Sequence, residues 1–160
     1  MTNKYPSKII FAANSLSFLK FYKLSLSKLF IEDGVDVEFL APYNLKELNK
    51  YQDKKISINK LCNKKKGLIS FFQIYFYFLK LLIFEPKTSI VSHTVILNIA
   101  LILATFTFPW KAKCNFITVS GFGAARIRNS LRIRFLGRIY IFLLRIASKQ
   151  NSLNVITLNF

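Results

Sequence analysis

Residues 88–110 read TSIVSHTVILNIALILATFTFPW, 23 positions without one Asp, Glu, Lys or Arg. As a single helix the run is long enough to cross a bilayer. Its interior argues for a division instead. Thr88–Ser92 has the length and β-branched content of a short buried strand, and Val95–Phe106 has the length of a helix, with small residues at Ala100 and Ala104. His93, Asn98 and several hydroxyl side chains suit lipid poorly, and Pro109 closes the segment. A second apolar run, Leu68–Phe84, is broken by Gln73 and Lys80 and falls short of a full span. A strand followed by a helix is therefore the main reading of 88–110. A small basic polytopic membrane protein with spans near 68–84 and 88–110 is the alternative.

The same alternation extends in both directions. Lys8–Ala13 is an apolar run of strand length, after which Asn14 or Ser15 can cap a helix continuing to Phe30. Glu32-Asp33-Gly34 stops that helix, Gly34 being suited to the left-handed position beyond a helix end. Val35–Ala41 alternates as a second strand ending at Pro42, residues 43–54 hold room for a short helix, and Lys55–Asn59 is a short third strand. The basic loop 63–67 leads into helix 68–84, which ends before Pro86. Downstream come strand Asn115–Ser120, the turn Gly121-Phe122-Gly123, a helix from about Ser130 to Lys149, and a strand Asn154–Leu158. Strands alternating with helices predict an α/β fold: a Rossmann-like open parallel sheet with helices on both faces, built by residues 1–160 as one domain.

Charge and composition narrow the class. The chain has 160 residues, 24 Lys and Arg against seven Asp and Glu, a net charge of +17, and 52% hydrophobic residues. So apolar a chain is not intrinsically disordered, and two cysteines, Cys62 and Cys114, make no disulfide scaffold and suggest a reducing compartment. No signal peptide is legible at the N-terminus. Residues 1–85 hold 14 Lys and all seven acids, for +7, whereas residues 86–160 hold four Lys and six Arg and no acid, for +10. An anionic partner or an anionic membrane surface fits such a field. An AT-rich coding sequence explains the Lys content equally well.

Several chemistries are excluded. One histidine and two isolated cysteines match no usual zinc spacing, so no metal is expected. No Ser-His-Asp set can be assembled around His93, and no phosphate-binding Gly-rich loop with Lys-Ser/Thr is present. Arg126 stands where a dinucleotide fingerprint beginning at Gly121 wants its third Gly, and no cofactor is expected. The phenylalanines lie in core-like runs and are not interleaved with Arg as stacking platforms, which disfavours nucleic acid as a partner.

In open parallel sheets ligands bind beyond the carboxyl ends of the strands, beside helix N-termini. Three turns would converge there: Asn14-Ser15-Leu16-Ser17 after strand one, Ser92-His93-Thr94 after strand four, and Ser120-Gly121-Phe122-Gly123 after strand five. His93-Thr94 reads equally as an ordinary helix cap, and the Gly-Phe-Gly turn as a tight reversal. On the last helix Arg134, Arg138, Arg145 and Lys149 fall within about 60° of one another at 100° per residue, with Leu131, Phe135, Ile139, Phe142 and Ile146 on a neighbouring face. That helix suits a membrane interface, or packing on the sheet with a solvated basic edge.

These turns, in this order, resemble the N-terminal domain of glycosyltransferases of family 4, enzymes of the two-domain GT-B fold. Asn14-Ser15, Phe18, Lys23-Leu24, Leu29 and Asp33-Gly34-Val35 through Leu40-Ala41-Pro42 are similar to the family's opening, with its G-x-x-V-x-x-x-x-P pattern. Ile90-Val91-Ser92-His93-Thr94 with Asn98 resembles its DIVHSHT-x-K-P-N region, and Val119–Gly123 its T-x-x-G-x-G turn. Ile96-Leu97 replaces the motif's Lys-Pro, Lys23 stands where many members have Arg, and Thr88 or Ser89 where they have Asp. The resemblance covers nearly the whole chain. It implies an acceptor-side domain, truncated near its sixth strand and without catalytic residues that can be assigned, in which Asn14, Ser15, Ser17, His93, Thr94, Asn98, Gly121, Phe122 and Gly123 face the acceptor or the donor's phosphates. It further implies a lipid-linked or saccharide acceptor, a nucleotide-sugar donor held only with a C-terminal domain that a separate gene can encode, and no transfer without that domain. Cytoplasmic placement follows, with peripheral docking on the inner face of the plasma membrane.

Overall fold

The computed structural model describes residues 6–49, 55–61, 68–109, 115–120, 131–149 and 153–158. In chain order the elements are β1 (Lys8–Ala12), α1 (Leu16–Glu32), β2 (Asp36–Ala41), α2 (Leu45–Asn49), β3 (Ser57–Lys60), α3 (Leu68–Phe84), β4 (Thr88–His93), α4 (Val95–Thr107), β5 (Asn115–Ser120), α5 (Leu131–Ala147) and β6 (Leu153–Leu158). Residues 88–110 thus divide as expected, the sheet taking the first six. Among the described residues no helix is long and apolar enough to cross a membrane.

All six strands are parallel, in the order β3-β2-β1-β4-β5-β6. The fold is α/β and Rossmann-like. Side chains alternate between two cores. Ile10, Ala12, Leu40, Ile90, Ile117 and Leu153 meet α3, α4 and α5 on one face, and Ile9, Phe11, Val37 and Phe39 meet Leu16 and Leu19 of α1 on the other. Burial on both faces is why these strands read as continuous apolar runs.

Local signals set the element ends. The Ser15 side chain accepts a 3.2 Å hydrogen bond from the Phe18 N–H and caps α1. Gly34, at φ +77°, turns the chain from α1 into β2, a conformation glycine adopts without steric cost. Between β4 and β5 the buried Asn115 side chain accepts from the Ile90 N–H at 2.9 Å and ties the strands together.

The alternation in β2 proved misleading at one position. With both faces covered, Glu38 is buried, and it is matched by Lys8 of the adjacent strand at 2.8 Å. Lys8 also reaches Glu85 at 3.2 Å, and Thr88 donates to the same Glu85 oxygen. Burial pulls the Lys8 ammonium down, but its bonds to and attraction from the two carboxylates outweigh that, and its pKa is raised.

Candidate functional site

The direction in which successive strands are added reverses between β1 and β4: β1 leads through α1 to β2 on one side, and β4 through α4 to β5 on the other. The two helices therefore start on opposite faces of the sheet, the arrangement in which open parallel sheets place a ligand crevice at the carboxyl ends of the two central strands, here β1 and β4. Asn14 and Ser17 are exposed at the head of α1, on either side of the cap Ser15. His93 is the last residue of β4 and Thr94 the residue before α4.

His93 is 2% exposed. Its ring stacks on Phe11 at 6.4 Å and lies 5.5 Å from the Phe18 ring. The Nδ1 atom is hydrogen-bonded to Thr118 Oγ1, whose own hydrogen goes to the Ser92 carbonyl at 3.0 Å. Thr118 must then accept, so Nδ1 carries the proton and Nε2 presents a lone pair. Among the described residues nothing bonds Nε2, and an unpaired acceptor at that depth costs about 1–3 kcal/mol. Burial, together with the positive charge of Lys23 on α1, lowers the imidazole pKa to about 3. Burial also lowers that of Lys23 itself.

Thr94 is no ordinary helix cap. Its φ is 101°, the only positive value at a non-glycine among the described residues, and its side chain makes no capping bond. A β-branched residue in that region is strained, and strain of this kind gathers where a site constrains the backbone. The first N–H groups of α4 have no intrahelical acceptor and point out of its start.

Behind His93 lies a polar relay that the sequence did not reveal. Ser92 Oγ donates to Asn98 Oδ1 at 2.6 Å, and Asn98 Nδ2 donates to the Thr118 carbonyl at 3.1 Å and to the Tyr140 hydroxyl at 2.7 Å. β4, β5, α4 and α5 are thereby joined around one buried amide.

Comparison with known proteins returns no matching family model, no similar curated protein and no similar solved structure.

The expected site residues divide into groups. Asn14, Ser15, Ser17, His93 and Thr94 come together at the crevice. Asn98 is buried one turn into α4, its amide committed to protein partners. Gly121, Phe122 and Gly123 lie outside the described residues, as does the side chain of Arg134. Arg138, Arg145 and Lys149 are exposed, but the inward face of α5 is Tyr140, Leu143, Leu144 and Ala147, leaving Ile139 and Phe142 outside beside the arginines. Thr118 escaped sequence reading because its role depends on pairing opposite His93, and Tyr140 because only helix packing brings it to Asn98. Among the described residues no three His, Cys, Asp or Glu side chains gather as metal ligands. A polar hollow of about 300 Å³ lined by Lys28, Ile31, Glu32 and Lys55 lies at the far end of α1, away from the crevice.

Proposed function

We propose that the chain is the acceptor-binding half of a glycosyltransferase that moves a sugar from a nucleotide-sugar onto a lipid-linked or cell-surface polysaccharide acceptor. The supporting observation is the meeting, at the reversal point of the sheet, of a polar turn with a neutral imidazole whose Nε2 lone pair is unclaimed. A saccharide supplies hydroxyl donors for that lone pair. Lys23 and the open starts of α1 and α4 supply positive potential for the phosphate of a lipid-linked acceptor. Access to Nε2 calls for a shift of the half-buried Phe18, which packs against the ring.

His93 acts here by orienting a hydroxyl. A pKa of about 3 lies too far below neutral pH for an efficient general base. Gripping the nucleotide-sugar falls to a second, donor-binding domain, and transfer takes place between the two. In a radiolabel-transfer assay the isolated chain gives no turnover with any nucleotide-sugar, while calorimetry detects a polyprenyl-phosphate saccharide, bound several-fold more weakly by an Asn14→Ala/Ser17→Ala variant. Turnover by the chain alone, or no binding of such an acceptor, contradicts the proposal.

A further inference from the structure

In a parallel sheet every helix that follows a strand starts at the carboxyl edge, so the first turns of α1 to α4 share one end of the molecule. That end is apolar at its surface. Phe21 (83% exposed) and Tyr22 lie in the second turn of α1, and Leu45 opens α2. Leu68 (76%), Ile69 and Phe72 lie in the first two turns of α3, and Val95 and Ile96 open α4. These are eight of the 12 large apolar side chains that these four helices expose. Ordinary helices scatter such residues singly, and a concentration at one end marks an interaction surface.

Acidic side chains are sorted along the same axis, whereas lysines occur at both ends. Among the described residues the carboxylates Glu32, Asp33, Asp36, Glu38 and Glu85 belong to the amino edge, at the end of α1, the start of β2 and the end of α3. At the carboxyl edge the single described carboxylate is Glu47, which accepts from the Asn44 N–H at 3.0 Å. Lys20 and Lys23 stand in α1 beside Phe21 and Tyr22, and Lys60, the last residue of β3, extends over the Tyr43 ring at 5.9 Å. Aromatic and aliphatic side chains interspersed with lysines, with acids removed to the opposite end, match the chemistry of an anionic bilayer surface.

We infer that the carboxyl edge of the sheet, rather than the basic face of α5, docks the protein on anionic lipid, apolar tips entering the headgroup region and lysines meeting phosphates. The inference rests on where exposed residues lie and is independent of the sugar-transfer reading, since the edge would dock whatever the crevice holds. It is tested by sedimenting the full chain with phosphatidylcholine vesicles with or without phosphatidylglycerol. The wild type binds vesicles containing phosphatidylglycerol and binds less as salt rises. Phe21→Ser/Leu68→Ser/Ile96→Ser, folded by circular dichroism and melting, loses about tenfold or more in affinity, whereas Arg138→Gln/Arg145→Gln retains binding. If the triple variant does not fold, Lys20→Gln/Lys60→Gln serves in its place and weakens binding severalfold, with a shallower salt dependence. Unchanged binding by the edge variants, or loss confined to the α5 pair, overturns the inference. So does absence of vesicle binding; a concentration-dependent dimer that the triple variant abolishes would then identify a second copy as the occupant.

Discussion

At His93 the cost of leaving a lone pair unmade is borne in exchange for a neutral imidazole of fixed tautomer, buried at the carboxyl end of β4. The unfolded chain takes up the imidazole proton near pH 6.5, whereas in the folded protein burial, and secondarily Lys23, defer it to about 3. Between these values the unfolded state binds more protons, so this stability contribution is complete above about pH 6.5 and is lost progressively as pH falls. The slope approaches about 1.4 kcal/mol per pH unit. Urea midpoints measured between about pH 6.5 and 5, before most carboxylates titrate, should fall steadily in the wild type and much less in His93→Gln. Equal slopes would contradict the assigned burial. That His93 lies at the carboxyl end of the fourth strand was legible from strand length and turn residues, although it closes β4 rather than following it. Its tautomer was not, because that depends on Thr118 arriving opposite it through strand pairing, 25 residues further along the chain.

The elements owe their ends to local chemistry and their arrangement to a few buried polar anchors. Ser15, Gly34 and Pro86 punctuate the chain where propensity says they should, and strand and helix limits read from apolar runs lie within a few residues of those observed. Burial of polar groups was harder to see. Glu38 looked like the wet side of an alternating strand, and only sheet order shows that β2 is covered on both faces and needs Lys8. The inward face of α5 was likewise hidden, because Arg-rich and apolar stripes run side by side and packing on α4 selects Tyr140 and Leu143. Asn98 is the anchor of this group. Truncating it in Asn98→Ala removes its bonds to the Ser92 hydroxyl, the Thr118 carbonyl and the Tyr140 hydroxyl at once, at a cost of about 2–4 kcal/mol. Tyr140→Phe, which removes one partner, should cost about 1 kcal/mol. Denaturant unfolding of both variants checks the ordering, and equal effects would show that the amide is not the hub.

For the whole molecule, +17 net charge and a majority of hydrophobic residues are reconciled by segregation. Two cores on opposite faces of one parallel sheet absorb most of the apolar content, while most of the large apolar side chains that α1 to α4 expose gather at the edge where strands end and these helices begin, and most of the described carboxylates lie at the other edge. The crevice opens at that same edge, so an acceptor carried by a lipid would arrive where the protein is most apolar. The chain has a single histidine, so the imidazole ¹⁵N spectrum of a histidine-labelled sample reports on the crevice alone. Titrating a polyprenyl-phosphate saccharide into the full chain at neutral pH should shift the unprotonated Nε2 resonance while Nδ1 stays protonated against Thr118. An Nε2 resonance indifferent to the acceptor, or an imidazole that titrates near 6.5, would contradict the assignment of the acceptor site to this crevice.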